Sequence, residues 1–423
     1  MTSLIDVKRR LRKQISQQFG GARSSEELER RVLREIEGAL QPFRRQFNAS
    51  ELNAVAEGLY HDIFGYGPLQ RHLDNPAVSE IMVNGPYKIF IEIDGLQQES
   101  EQTFDDETHL IGTVQRMIRR AGARLDESQP TVECVIEEDI RVHAAIAPVA
   151  IDGPLLTIRK PRQDIREIED LIRRGTLNTS IYQFLWACVQ AKVSMIFSGA
   201  TGSGKTTLLE VLSAHISDQE RLVVIEDVPE LRLRQRNVAR LCTRQSNMEG
   251  KGEVSLRSLF ISSLRMRPTR IILGEIRGGE AFEFLQSLTS GHRGSLAVIH
   301  ASSPSEVALR LENLIQFANV HVAPEVVRQQ ISAGLNLVIQ IDRFPDGRRR
   351  ISSISEAVGL DQRGLVEFKE IFRFDFERLI REEQRCVGRF VPTGVRPTFL
   401  QEFDRVGVMV PKDLFEVPPP QAS

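Results

Sequence analysis

Tryptophan occurs once and tyrosine four times in the 423 residues, so a nucleic-acid strand finds few aromatic faces on which to stack its bases. Charge of one sign is lacking too. The 55 basic and 57 acidic residues leave a net charge of −2, which argues against a chain whose main task is gripping a phosphate backbone. Stable nucleic-acid binding is therefore not expected. Cysteine is scarce: Cys134, Cys188, Cys242 and Cys386 are scattered without a C-x-x-C pair and read as buried thiols in a reducing compartment, not as zinc ligands. The longest apolar runs, at 193–197 and 334–341, fall far short of the roughly 18 residues a membrane span needs. The start, M-T-S-L-I-D-V-K-R-R, has charge but no apolar signal core. These absences point to a cytoplasmic protein.

What is present is an ordinary globular composition, 41% hydrophobic and 26% charged, in a chain long enough for two or three cores. Residues 1–60 read as a helical region. Leu28, Val32, Leu33, Ile36 and Leu40 recur at helical spacing, and Ser24 or Ser25 supplies an N-cap. Residues 61–165 read as a small α/β domain. Strands E-I-M-V-N-G and K-I-F-I-E-I-D-G end at Asn84-Gly85 and Asp94-Gly95 turns, a helix covers 105–121, and V-E-C-V-I, I-R-V-H-A and L-L-T-I-R-K follow. Residues 175–360 alternate short β-branched strands with helices, which predicts a mostly parallel sheet covered on both faces. The P-D-G turn at 345–347 predicts an antiparallel edge hairpin, and 361–423 forms a C-terminal extension ending in P-P-P-Q-A-S, a frayed tail.

The strongest chemical signal is G-A-T-G-S-G-K-T at 199–206, directly after the strand S-M-I-F-S and opening a helix. It matches the phosphate-binding pattern G-x-x-x-x-G-K-[ST] in its required setting. Gly199, Ala200, Thr201, Gly202, Ser203 and Gly204 let consecutive N–H groups turn inward, and Thr206 and Thr207 begin a helix whose dipole favours phosphate. Lys205 reaches the β- and γ-phosphates of ATP, and the Thr206 hydroxyl ligates Mg2+. Downstream, R-I-I-L-G-E places Glu275 at a strand's C-terminal end, where a carboxylate can orient water or hold Mg2+ through water. Glu226, Asp227 and Glu230 crowd a second strand tip, which is costly unless solvent or a cation offsets their repulsion. Asp227 is a further candidate for Mg2+. His292 and His300 bracket a third strand, and Arg277 sits two residues past Glu275 as a partner for nearby acids.

In this order, G-A-T-G-S-G-K-T, E-D-x-x-E-L, G-E-I-R-G-G-E and G-H-R-G-S-L-A-V-I-H-A resemble the motor ATPases of type II secretion, type IV pili and type IV secretion. The segments S-E-I-M-V-N-G-P, D-G-P-L-L-T-I-R-K-P, N-M-E-G-K-G-E-V and G-R-F-V-P-T-G-V-R-P narrow the resemblance to the Tad/Flp pilus assembly ATPases, over about 60–416. The zinc-binding cysteines of many type II secretion and type IVa pilus relatives are missing, which favours that branch. The resemblance implies a PAS-like N-terminal α/β domain and a RecA-like P-loop ATPase domain. It also implies a homohexamer that moves inner-membrane platform proteins and through them pilin subunits, so that membrane association is peripheral. Glu226 and His300 take catalytic positions in it, as do Arg141 and Arg159, which fall where N-terminal-domain arginines address the nucleotide. A type IV secretion traffic ATPase exporting protein or DNA is the alternative.

Overall fold

The computed structural model describes residues 4–19, 25–93, 95–137, 140–160, 165, 167–244, 246, 251–318, 320, 322–383 and 385–417. The chain divides into two compact units, Met1–Asp164 and Ile165–Ser423. Asp94, residues 247–250 of N-M-E-G-K-G-E-V and the P-P-P-Q-A-S tail lie outside the described residues.

The first unit opens with helices α1 (Leu4–Phe19), α2 (Glu26–Leu40) and α3 (Ala49–Phe64). Ser25 caps α2 by accepting from the Leu28 N–H, and Asn48 and Glu51 exchange two 2.9 Å bonds in a capping box on α3. These satisfy N–H groups that have no partner inside the helix. Val7, Ile15, Val32, Ile36, Val55 and Leu59 form a core between the helices. Leu33, expected on the same stripe, is 43% exposed, because it lies about 100° round the helix from Val32.

A short α4 (Gln70–Asp74) leads into β1 (Val78–Asn84), β2 (Ile89–Ile93), β3 (Leu96–Glu99), α5 (Glu107–Arg120), β4 (Thr131–Ile136), β5 (Ile140–Ala145) and β6 (Leu155–Arg159). Their order is β3-β2-β1-β6-β5-β4, antiparallel throughout. Leu110, Val114 and Met117 of α5 close the core over Ile81, Val142 and Ile158. A buried His109–Asp62 contact at 2.9 Å and an Arg12–Asp105 pair at 3.1 Å tie α3 and α1 to α5 and to the loop before it.

The second unit runs α6 (Ile168–Arg173), α7 (Thr179–Gln190), β7 (Met195–Ser198), α8 (Lys205–Ser213), β8 (Leu222–Glu226), β9 (Val238–Cys242), α9 (Leu256–Ser263), β10 (Arg270–Leu273), α10 (Glu280–Thr289), β11 (Leu296–Ile299), α11 (Pro304–Phe317), α12 (Pro324–Gly334), β12 (Leu337–Arg343), β13 (Arg349–Leu360), β14 (Val366–Ile380), β15 (Arg385–Pro392) and α13 (Leu400–Arg405). These strands make one nine-stranded sheet, β15-β14-β13-β12-β7-β11-β10-β8-β9. From β12 to β9 every pairing is parallel, the RecA-like order, with the phosphate loop leaving the central strand β7. Parallel strands buried on both faces read as continuous apolar runs. Successive residues accordingly serve opposite cores: Val224 and Phe197 face the side of α7 and α8, whereas Val223 and Ile196 face α9 to α12.

The expected edge hairpin is interior. β12 and β13 pair antiparallel, but β14 and β15 continue the sheet beyond them. The C-terminal residues then return to the core, where Phe184 of α7 meets Phe372, Phe399, Phe403 and Phe415 with ring centroids 5.4–6.4 Å apart. The buried Glu356 carboxylate anchors this return by accepting from the Thr398 N–H at 3.0 Å.

Candidate nucleotide site

The loop 199–204 joins the C-terminal end of β7 to α8 in a conformation that only glycine adopts readily. Gly202 and Gly204 have φ of +71° and +96°. A side chain on Gly199 (φ +153°) would place its Cβ 2.1 Å from the Ile341 carbonyl oxygen. The loop therefore lies directly against β12. The Ser203 hydroxyl is buried and has no hydrogen-bond partner, so the cradle holds polar capacity suited to an anion. Thr206 and Thr207 occupy the first turn of α8.

Lys205 is 5% exposed and donates to the Ala200 carbonyl at 2.7 Å; its Nζ also lies 3.4 Å from His300 Nδ1. His300, just beyond β11, places Nε2 3.0 Å from Glu275, just beyond β10. A cation on one side and a carboxylate on the other set the tautomer: Nδ1 accepts and Nε2–H donates. Burial and the Lys205 ammonium hold His300 below the usual histidine range, so the neutral ring is the working form. Arg277 donates to the second Glu275 oxygen at 2.9 Å and reaches Asp227 at 3.2 Å. Thr243 donates to the other Asp227 oxygen at 2.5 Å. Lys205, His300, Glu275, Arg277 and Asp227 thus form one connected chain across four strand ends.

Glu226 is the last residue of β8. Its carboxylate is 3% exposed and accepts from the backbone N–H groups of Glu230 and Leu231 at 2.7 and 2.8 Å, while Arg240 lies 3.5 Å away. Burial raises its pKa and those two N–H groups oppose the rise. A second acid, Glu210 of α8, accepts from the next N–H along, that of Arg232, and burial pushes its pKa up to about 7. Two carboxyls, Glu226 buried and Glu210 half-buried, therefore cap three successive backbone donors of the acidic loop, and Glu230 contributes its N–H to that cap.

His292 lies before β11, at the end of the strand opposite His300, and its buried Nδ1 has no partner there. It stands apart from the chain around Lys205. Arg141 and Arg159 belong to the first unit, where they are register partners on β5 and β6 and so point to one face. Arg159 lies 3.8 Å from Glu80.

The cradle fits a polyphosphate: glycines in left-handed conformations, the first turn of α8, and a lysine whose ammonium can turn from a carbonyl to an anion. Among the described residues no group of three or more histidine, cysteine or carboxylate side chains is placed to hold a metal ion. Mg2+ in nucleotide sites takes most of its six ligands from water and phosphate. The Thr206 hydroxyl and the Glu275 carboxylate are hard oxygens of the kind that complete such a shell.

Two residues at this site escape the motif reading. Arg349 of β13 donates from Nε to the Gly202 carbonyl at 2.6 Å. Its only signal was the R-R-R run after the P-D-G turn. Glu210 sits inside an amphipathic helix where a single acid has no distinguishing pattern.

A family described as type II/IV secretion system protein matches residues 63–362. A Mycobacterium tuberculosis protein named for conjugal transfer is 32% identical over 312 residues, 72% of this chain and 88% of the relative. The type IV secretion system protein PtlH of Bordetella pertussis is 32% identical over 320 residues, 68% of this chain and 93% of its own length. Among solved structures, the VirB11 ATPase of the Brucella suis type IV secretion system is 28% identical over 72% of this chain and 96% of that one, with a TM-score of 0.38. On the match that spans both the phosphate loop and the Glu275 and His300 strand ends, the chain belongs to the type II/IV secretion system ATPase family.

Proposed function

We propose that the chain is an ATP-hydrolysing motor of a secretion or pilus machine, with Lys205, His300 and Glu275 at its chemical centre and ATP and Mg2+ as cofactors. The observation that carries this reading is the shared histidine. His300 stands 3.4 Å from the phosphate-loop lysine and 3.0 Å from the strand-end carboxylate, which are otherwise far apart in sequence. Bound Mg2+ would neutralise charge on the β- and γ-phosphates. Lys205 offers its ammonium to the same phosphates, and the first-turn N–H groups of α8 bind them from below. Glu275 accepts from water and orients it. His300, held neutral, donates to one Glu275 oxygen while Arg277 donates to the other, so the carboxylate is fixed in direction. Lys205→Ala should abolish hydrolysis at saturating Mg-ATP; turnover close to wild type would rule out the loop as the engine.

Within the family, the segment G-R-F-V-P-T-G-V-R-P supports Tad/Flp pilus assembly by a homohexamer acting on inner-membrane platform proteins and, through them, on pilin subunits. Relatives named for type IV secretion and conjugal transfer support a second reading, export of protein or DNA. A clean deletion separates them: loss of pili with export intact favours the first, the reverse favours the second. Solution mass in a non-hydrolysable ATP analogue tests the ring of six. The absence of any helix long and apolar enough to cross a membrane, among the described residues, is consistent with attachment through partners. The division into a helical region (1–60), an α/β domain (61–165), an ATPase domain (175–360) and a C-terminal extension (361–423) belongs to the same proposal, as does phosphate recognition by Arg141 and Arg159. Wild-type ATPase rates in both Arg→Ala variants would remove those two residues from it.

A further inference from the structure

We propose that Arg349 is a positioning residue for the phosphate loop: from the β12–β13 hairpin it holds the Gly202 carbonyl outward, so that the N–H groups that follow stay turned toward the phosphates of a nucleoside triphosphate. This rests on the nucleotide reading above. The loop is rich in residues that cannot hold themselves. Gly202 and Gly204, both at positive φ, have no side chain to restrict their torsions. The peptide plane between Gly202 and Ser203 is held at both ends. At one, the Ser203 N–H closes a turn onto the Ala200 carbonyl at 3.2 Å; at the other, the Gly202 oxygen accepts from Arg349 Nε at 2.6 Å. A peptide unit is rigid, so fixing its oxygen fixes the direction of the chain entering Gly204 and Lys205. A bond from a guanidinium is stronger than one between neutral groups. The stem takes part as well, since a Cβ on Gly204 would lie 3.3 Å from Arg349 Cδ.

A clamp needs a firm base, and the hairpin supplies one. Ile341 of β12 already blocks Gly199 through its carbonyl, so one hairpin meets the loop at both of its ends. The next residue, Arg350, points to the other side of β13. There it makes bonds of 2.8 and 2.7 Å to Asp346 and lies 5.1 and 5.2 Å from the ring centroids of Phe344 and Phe374. Asp346 also accepts from the Cys386 N–H of β15 at 3.0 Å. Contacts therefore run from the outer strand of the sheet to the loop carbonyl.

The test uses the full-length chain with Arg349→Met, which keeps the stem but loses donor and charge, and Arg349→Lys, which keeps charge and a donor. Mg-ADP affinity is read by titration with a fluorescent ADP analogue, together with KM and kcat for ATP and the thermal unfolding midpoint without nucleotide. Arg349→Met should weaken ADP binding and raise KM by about tenfold or more, with a smaller fall in kcat and a midpoint within about 2 °C of wild type. Arg349→Lys should recover a large part of that loss. Unchanged affinity in Arg349→Met overturns the assignment, and so does an affinity loss that tracks a lowered midpoint and is not restored by lysine. A wild-type chain that binds no nucleotide would instead sink the nucleotide reading, and this proposal with it.

Discussion

The two ends of the parallel sheet in the second unit carry similar side chains and use them in opposite ways. At the C-terminal ends, Glu275 and His300 keep 20% and 28% of their side-chain surface exposed, and Lys205 leans on a backbone carbonyl. At the N-terminal ends, Arg270 is 1% exposed and gives Glu220 two bonds of 3.0 and 2.8 Å and the Val189 carbonyl one of 2.7 Å; Lys192 adds a fourth contact at 3.0 Å. The second cluster is largely buried, with Lys192 alone reaching solvent, and its charges satisfy one another. The first has a glycine cradle beside it and groups that can exchange a protein partner for a ligand. Ion pairs alone therefore do not mark the site. Access to solvent next to oriented backbone donors marks it, at the strand ends where open α/β sheets bind ligands.

Substitution at each end sharpens this contrast. Arg270→Ala should cost about 3 kcal/mol of stability, because it removes a buried side chain with three hydrogen bonds and leaves Glu220 with Lys192 alone. Urea unfolding measures it, and a loss below about 1 kcal/mol would mean that the cluster is more open than its burial implies. Glu275→Gln should leave stability nearly unchanged while hydrolysis falls by about 10²–10³-fold and nucleotide still binds. Collapse of affinity along with rate would make Glu275 chiefly a metal or structural ligand. The histidines divide the same way: His300→Ala should lower turnover by about 10²-fold, whereas His292→Ala, at the closed end, should stay within about threefold. Equal losses from both would erase the distinction.

The smallest effect concerns Glu210. Burial raises its pKa from an ordinary 4.5 to about 7, so the fold favours the protonated acid. The stability this contributes is fully present below pH 4.5 and is lost as pH rises through about 7. Glu210→Gln removes the loss, so the variant should gain on wild type between pH 5 and 8, by about 1 kcal/mol once partial exposure is allowed for. Parallel stability curves would show that the carboxyl titrates normally.

Much of the ATPase sheet is legible in the chain. β7, β8, β10, β11 and β12 announce themselves as short β-branched runs, and the phosphate loop is recognisable because its strand, glycines and helix are contiguous. Glu275 and His300 are legible as strand-end residues for the same reason. Their meeting through one imidazole is not, since it depends on β11 lying between β7 and β10. The placement of β13 fails similarly: a P-D-G turn specifies a hairpin, but whether further strands cover it depends on pairing partners beyond residue 360. Glu226 shows the limit most clearly. Its place at a strand tip is legible, but its partners are not: only the fold of the following loop turns two backbone donors onto it.

By itself the sequence determined what local geometry can encode: the cap of α2, the alternation of strand and helix, the glycine turn of the phosphate loop, and the identity of the reactive groups. Tertiary structure alone decided which of those groups share a proton or a charge. Lys205, Glu275, His300 and Arg349 come from four separate segments, and hydrogen bonds act over about 3 Å, a distance set by strand order and sheet register and by no spacing along the chain.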